Sequence, residues 1–158
     1  MLMFGLFKRK KTEVFSPVDG KIVNIEQVND PVFSSKAMGE GMAFLPTSEK
    51  IFSPIDGEVI NIFPTKHAIL LKTQSNLDVL LHVGINTVEL NGKGFEILVK
   101  EGQQVTKKTE LLKIDFQVLE EAEKENTIIL VFPENHEVVV PKFDGQTKTH
   151  GEVVFELK

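Results

Sequence analysis

One twelve-residue phrase occurs twice in this chain. Val14 to Ile25 reads VFSPVDGKIVNI and Ile51 to Ile62 reads IFSPIDGEVINI, identical at seven of twelve positions at an offset of 37. Two copies are too few for a solenoid, so the repeat predicts two equivalent turn-plus-strand units inside one domain. Each unit contains Pro-x-Asp-Gly, at Pro17 to Gly20 and at Pro54 to Gly57. Proline pre-sets the first corner, and Asp-Gly supplies a side-chain acceptor and a residue that tolerates positive φ. Ile22, Val23 and Ile25 follow the first turn, and Val59, Ile60 and Ile62 the second, β-branched residues suited to strands.

The same texture continues along the chain. Strand-like runs lie near 21–26, 41–45, 58–63, 67–73, 78–85, 95–99, 110–114, 127–132, 137–141 and 152–157. Glycine, proline and polar clusters separate them. Many short strands with frequent turn signals predict an all-β sandwich or barrel. One short helix is expected, capped by Asp115, with Phe116, Leu119 and Ala122 on one face. With 158 residues and no linker-like stretch, a single domain is expected.

Composition excludes several functions. The chain has no cysteine, which removes disulfides, thiolate metal sites and cysteine nucleophiles. Its net charge of −5 argues against nucleic acid as a partner. The charge is uneven: the first 11 residues carry +4, from Lys8, Arg9, Lys10 and Lys11, and the rest carries −9. Residues 1–11 read as a flexible apolar-basic tail, and 12–158 as the domain. The apolar part of that tail is too short to span a bilayer, and its basic residues follow rather than precede it, so a cytoplasmic protein is expected.

Chemistry is concentrated in the histidines. His136 and His150 sit in loop-like surroundings and read as surface or structural. His67 opens HAILLKT and His82 lies within DVLLHVGI, with Gln74, Ser75 and Asn76 signalling a turn between them. The segment therefore reads as an antiparallel hairpin. A two- or four-residue loop sets Ile69 opposite His82 and brings both imidazoles to one face, whereas a three-residue loop sends them to opposite faces.

A polar ring among Leu80, Leu81, Val83 and Ile85 needs either a structural partner or a function. Such a pair can supply two of the ligands that zinc takes, or a nucleophilic imidazole. In phosphoryl transfer His82 could attack while His67 holds phosphoryl oxygens through a ring N–H. Gly84 leaves approach beside His82 open, and Thr65 could fix the tautomer of His67. No glycine-rich phosphate loop with its lysine is present, so an ATP-dependent kinase is not expected.

The string DVLLHVGINTVELNGKGF, Asp78 to Phe95, is the most specific of a set that includes FSPVDGKIVNI, DPVFSSKAMGEGMAFLPT, FSPIDGEVINIFPTKHAI and VKEGQQV. In this order and spacing the chain resembles the enzyme IIA domain, glucose class, of the bacterial phosphoenolpyruvate-dependent sugar phosphotransferase system, from about Thr12 to Lys158. The resemblance implies a single-domain antiparallel β-sandwich with few short helices, and a phosphotransferase component of sugar transport that works through a phosphohistidine. It implies that His82 accepts phosphoryl from the histidine phosphocarrier protein and passes it to a cysteine of a IIB domain in a membrane permease. His67 would steady the phosphoryl group and Thr65 would orient His67. Asp30 would meet an arginine of the phosphocarrier, and Val32, Phe33, Met38 and Phe63 would form an apolar docking rim.

Asn86 also belongs to the docking face, where better-known enteric relatives carry aspartate. Its neutrality shifts docking toward Asp30 and apolar contact. No cofactor is required. Zinc on His67 and His82 at a partner interface is the one metal use implied, and regulatory proteins are possible further partners. The protein would be cytoplasmic and only transiently at the membrane-bound permease. Two other readings fit less well. A biotin- or lipoate-carrying module would match VKEGQQVTKKTELL, but no lysine stands in the usual exposed hairpin. A lysostaphin-like zinc peptidase would need a His-x-His element, which the chain lacks.

Overall fold

The computed structural model describes residues 12–133, 135 and 137–157. The apolar-basic segment 1–11 and His136 therefore lie outside the described residues. The strands are β1 (Thr12–Phe15), β2 (Gly20–Asn24), β3 (Glu40–Pro46), β4 (Lys50–Phe52), β5 (Gly57–Ile62), β6 (Ala68–Thr73), β7 (Asp78–Val83), β8 (Phe95–Ile97), β9 (Gln104–Val105), β10 (Glu110–Ile114), β11 (Ile128–Phe132), β12 (Thr147–Lys148) and β13 (Val153–Leu157). Two short helices join them, α1 (Pro31–Ser34) and α2 (Phe116–Glu121). An eight-stranded sheet runs in the order β12-β2-β3-β11-β7-β6-β5-β9, beside a three-stranded sheet β4-β10-β8 and the pair β1-β13. Every pairing is antiparallel. The expected all-β sandwich is what these residues build. No helix among the described residues is long and apolar enough to cross a membrane.

The two repeats face each other across an approximate two-fold. Phe15 N–H donates to the Pro54 carbonyl and Phe52 N–H to the Pro17 carbonyl, both at 2.7 Å. Inside each turn a fully buried serine hydroxyl donates two residues onward, Ser16 to the Val18 carbonyl at 2.7 Å and Ser53 to the Ile55 carbonyl at 2.6 Å. Val18 and Ile55 enter the core.

The glycines of the repeat have a different purpose from the one expected. Neither Gly20 nor Gly57 has positive φ. A Cβ on Gly20 would lie 2.2 Å from the Leu45 carbonyl oxygen, and one on Gly57 2.0 Å from that of Lys72. Each glycine admits a neighbouring strand to close backbone contact.

The copies diverge after their shared asparagine. β2 stops at Asn24, whose side-chain amide donates to the Phe143 carbonyl at 3.0 Å and accepts from Phe143 N–H at 2.8 Å. The expected strand 21–26 thus ends in a short 3-10 turn at Ile25–Gln27. The run 137–141 is not a strand. The strands that periodicity did not reveal, β1, β4, β9 and β12, have two to four residues each and carry polar side chains such as Glu13, Lys50, Gln104 and Lys148. Asp115 caps α2 as expected, accepting from the N–H groups of Gln117 and Val118.

The central strands bury both faces, and this positions the functional region. Inward residues such as Met42, Phe44, Ile69, Leu81, Val83, Ile128 and Leu130 join the main core between the sheets. Their alternates Val23, Ala43, Ala68, Leu80, Ile129 and Val131 form a second apolar layer on the outer face with Phe33 and Ile85. His82 alternates with Leu81 and Val83, so its ring belongs to this second layer.

Candidate functional site

His82 stands in β7 between two strands, directly opposite Ala68 on one side and Ile129 on the other. Ala68 is small enough to leave the ring room. Phe33, from α1, lies against it with ring centroids 4.8 Å apart. His67 approaches edge to face, centroids 4.9 Å apart and planes at 82°. Phe63 in turn packs edge-on against His67 at 5.8 Å. Two imidazoles and two phenyl rings thus line one patch of the outer layer.

The route by which the histidines meet is not the one the hairpin arithmetic required. Ala68 pairs with His82 and Lys72 with Asp78, and Thr73 N–H donates to the Leu77 carbonyl at 2.9 Å. The loop is therefore Gln74-Ser75-Asn76, three residues, with Asn76 left-handed at φ 70°, a favoured three-residue hairpin geometry. Strict alternation would then place the rings on opposite faces. They meet because His67 precedes β6 and does not follow its alternation. Lys66 takes a left-handed conformation at φ 62°, in a turn where Lys66 N–H donates to the Phe63 carbonyl at 2.7 Å. That turn reverses the chain just before the strand begins. The His67 carbonyl still accepts from Val83 N–H at 2.7 Å, tying its backbone to the residue after His82.

The two rings differ in what their Nδ1 atoms meet. Thr65 Oγ1 and His67 Nδ1 are 2.6 Å apart. His82 Nδ1 is sealed from solvent without a hydrogen bond of ordinary geometry, and the Gly84 backbone is the group that favours a proton on the ring. Burial, and then the neighbouring His67, pull His82 down from 6.5 to about 4, against smaller upward effects of Gly84 and the Asp30 carboxylate. Burial also lowers His67. At neutral pH both imidazoles are uncharged.

This has a measurable consequence. Because the folded pKa of His82 lies below its unfolded value, the unfolded chain binds the proton more readily. Stability attributable to His82 is complete above pH 6.5 and drains away as pH falls toward 4. The full shift corresponds to about 3 kcal/mol. Urea unfolding of wild type and His82→Gln at pH 7 and pH 4.5 is expected to show the variant losing less stability over that interval, by roughly 2 kcal/mol. Parallel losses in the two proteins would contradict this account.

The other anticipated residues fall as follows. Asp30 is half-buried and caps α1, its Oδ1 accepting from Val32 N–H at 3.0 Å, with Pro31 opening the helix. Phe33 of the helix it caps lies against His82. Val32 is 51% exposed, while Met38 and Phe63 are partly buried against the outer layer. Phe33 is only 6% exposed, so it forms the wall against His82 instead of an outward rim. Asn86 is exposed and left-handed at φ 59°, a conformation asparagine tolerates.

Thr87 was not singled out from sequence: it is buried, and its methyl lies where a Cβ on Gly84 would be. His150 stacks on Phe52 at 4.0 Å and bonds Asp19 through Nδ1 at 2.8 Å, securing the first repeat's turn. No cluster of three or more His, Cys, Asp or Glu suited to a metal exists among the described residues. Zinc on His67 and His82 would have to draw its remaining ligands from a partner. The acidic cleft bounded by Glu49, Glu96, Asp115 and Glu120 contains neither histidine.

Comparison with known proteins identifies the family. Residues 12–138 match the family model of the phosphoenolpyruvate-dependent sugar phosphotransferase system, EIIA 1. The glucose-specific EIIA component of Staphylococcus epidermidis (strain RP62A) is 42% identical over 119 residues, covering 74% of this chain and 72% of that protein. That of Buchnera aphidicola subsp. Acyrthosiphon pisum is 42% identical over 115 residues, covering 73% and 71%. The glucose-specific EIICBA component of Streptococcus pneumoniae serotype 4 is 41% identical over 126 residues, 80% of this chain but 17% of that longer protein.

Among solved structures, glucose permease IIA from Mycoplasma capricolum superposes with a TM-score of 0.85 at 33% identity, covering 96% of this chain and 99% of that one. The family match runs over most of the chain, which accordingly belongs to the EIIA 1 family of the phosphoenolpyruvate-dependent sugar phosphotransferase system, as a phosphotransferase component.

Proposed function

We propose that His82 is the phosphoryl acceptor and that His67 holds the group while it resides there. The observation that carries this reading is the pair itself: two uncharged imidazoles edge to face at 4.9 Å in the apolar outer layer, His82 part-exposed and His67 behind it at only 6% exposure. A small substrate would favour enclosure. A donor that is itself a protein needs a shallow surface.

Nδ1 of His82 is sealed, so Nε2 is the attacking atom. The donor is the phosphohistidine of the histidine phosphocarrier protein. As the Nε2–P bond forms, the donor's N–P bond breaks and its imidazole leaves neutral. His82 keeps its Nδ1 proton and becomes the charged phosphoimidazolium, so atoms and charge balance. With Thr65 donating to His67 Nδ1, the His67 proton sits on Nε2 and can donate to a phosphoryl oxygen.

Docking draws on Asp30 opposite a partner arginine and on Val32, Met38 and Phe63 around the patch, with Phe33 behind His82 and Asn86 at the neutral edge. Apolar contact excludes water during transfer. The second partner is a IIB domain of a membrane permease, whose cysteine takes the phosphoryl group. The protein would act in the cytoplasm and leave sugar choice to the membrane subunit. No metal takes part in the transfer.

Incubation with phosphoenolpyruvate, enzyme I and the phosphocarrier is expected to yield one acid-labile phosphate per chain, mapping to His82 by mass spectrometry of the intact phosphopeptide. Label on any other residue, or none, would overturn the assignment.

A further inference from the structure

Glu125 joins the two arms of chain that flank His82. On one side, β11 runs beside β7 with Ile129 opposite His82 and Ile128 opposite Val83. The segment before β11 keeps that course: the Thr127 carbonyl accepts from Gly84 N–H at 2.8 Å, and the Glu125 carbonyl from Ile85 N–H at 3.1 Å. On the other side, Asn29 Nδ2 donates to Glu125 Oε2 at 2.9 Å. Asn29 directly precedes Asp30, the cap of the helix whose Phe33 lies against His82. An exposed carboxylate is therefore fixed between the Asp30 arm and the Ile85–Asn86 arm.

The charges around it are already matched, and its own is not. Lys124, the preceding residue, pairs with Glu89, and Lys36 pairs with Glu26 at 3.3 Å and Glu40 at 3.2 Å. Among the described residues no cation pairs with Asp30 or Glu125. Each spends one oxygen on holding its place, Asp30 Oδ1 on Val32 N–H and Glu125 Oε2 on Asn29, and keeps the other free of hydrogen bonds to those residues. A guanidinium, with five N–H donors in a planar fork, suits such oxygens.

We propose that Glu125 is a specificity-determining residue for the phosphoryl donor: its carboxylate, held by Asn29 beside Asp30, receives a cationic side chain of the phosphocarrier as that protein docks over His82. The inference rests on the reading of His82 as acceptor and supplies a second anionic contact for the docking face. Glu125 acts on encounter and affinity, not on the reacting atoms, because a charge at the edge of a contact steers association.

The test is binding of unphosphorylated phosphocarrier, by calorimetry, to wild type, Glu125→Gln, Glu125→Lys and Glu120→Gln, at about 0.02 M and about 0.5 M salt. Glu125→Gln keeps an oxygen for Asn29 and loses only the charge. Glu120→Gln makes the same change of net charge in the cleft that contains neither histidine. At low salt Glu125→Gln is expected to weaken binding about fivefold and Glu125→Lys about thirtyfold, with Glu120→Gln within about twofold of wild type. At high salt Glu125→Gln should bind within about twofold of wild type, a convergence that a merely structural role would not produce. The acceptance rate at saturating phosphocarrier should be unchanged in Glu125→Gln.

Wild-type affinity in both Glu125 variants at low salt would overturn the proposal. So would a loss that persists undiminished at high salt, an equal loss in Glu120→Gln, or a loss confined to the saturating rate. Binding is read without phosphate, so it judges Glu125 by itself. Label mapping away from His82 in wild type would instead overturn the acceptor reading, and the binding comparison would still report what the carboxylate does.

Discussion

His82→Ala is expected to fold and to accept no phosphoryl group. The ring is half-buried on the outer layer, not in the core between the sheets, and its Nδ1 makes no hydrogen bond of ordinary geometry to lose. Removing it leaves space beside Ala68 and Phe33 but strands no charge, since the ring is neutral at pH 7. Thermal unfolding should therefore remain cooperative. Acceptance should fall to below about a thousandth of wild type, the scale seen when a nucleophile is removed and only positioning groups remain.

His67 is not expected to substitute for the missing nucleophile. Its Nδ1 is engaged by Thr65, and the ring is only 6% exposed. The measurement is single-turnover labelling from phosphorylated carrier, with circular dichroism on the same samples. Full labelling of a folded His82→Ala protein would refute the mechanism.

How much of this was legible in the sequence depends on the range over which each feature is encoded. The repeat, the paired glycines and the Asp115 cap are local, and each was visible as a motif. The central strands were also visible, because β11 reads as the apolar run Ile128 to Phe132. Strands of two to four polar residues, such as β9 and β12, exist only because a neighbouring edge offers them partners, and no local pattern marks them. The repeat's glycines were legible as necessary but for the wrong reason. A turn motif suggests positive φ, whereas the constraint at Gly20 and Gly57 is a carbonyl about to collide with any side chain.

The histidine pair teaches the sharper lesson. Two-fold alternation along a hairpin was the only rule available for placing His67 beside His82, and the three-residue loop at Gln74-Ser75-Asn76 makes that rule predict separation. What overrides it is the left-handed Lys66 just before β6, a conformation that a lysine does not advertise. The resemblance to a family carried the pairing where periodicity could not. The contact of Phe33 with His82 was hidden for a related reason: Phe33 reaches the ring from outside its hairpin, through packing that sequence spacing does not express, whereas the resemblance set it on an outward rim.

His67→Gln is expected to divide the reaction in two, accepting phosphoryl within about tenfold of wild type yet donating it at least about a hundredfold more slowly. The glutamine amide retains an N–H that can reach a phosphoryl oxygen, so the resting phosphoprotein still finds a donor. Acceptance from a reactive phosphohistidine should tolerate the weaker orientation. Donation demands more, because the acceptor is a thiol that must lose its proton as the Nε2–P bond breaks.

An imidazole can change its charge during that step, and an amide cannot. His67 is neutral in the free protein because burial depresses it, so it can take up the proton that the thiol loses, while His82 leaves as the neutral imidazole with its Nδ1 proton. Rapid-quench measurement of the two half-reactions, from phosphocarrier to this protein and from this protein to a IIB domain, resolves the question. If both fall equally, His67 serves only to place the phosphoryl group. If neither falls, its contact with His82 at 4.9 Å is packing and nothing more.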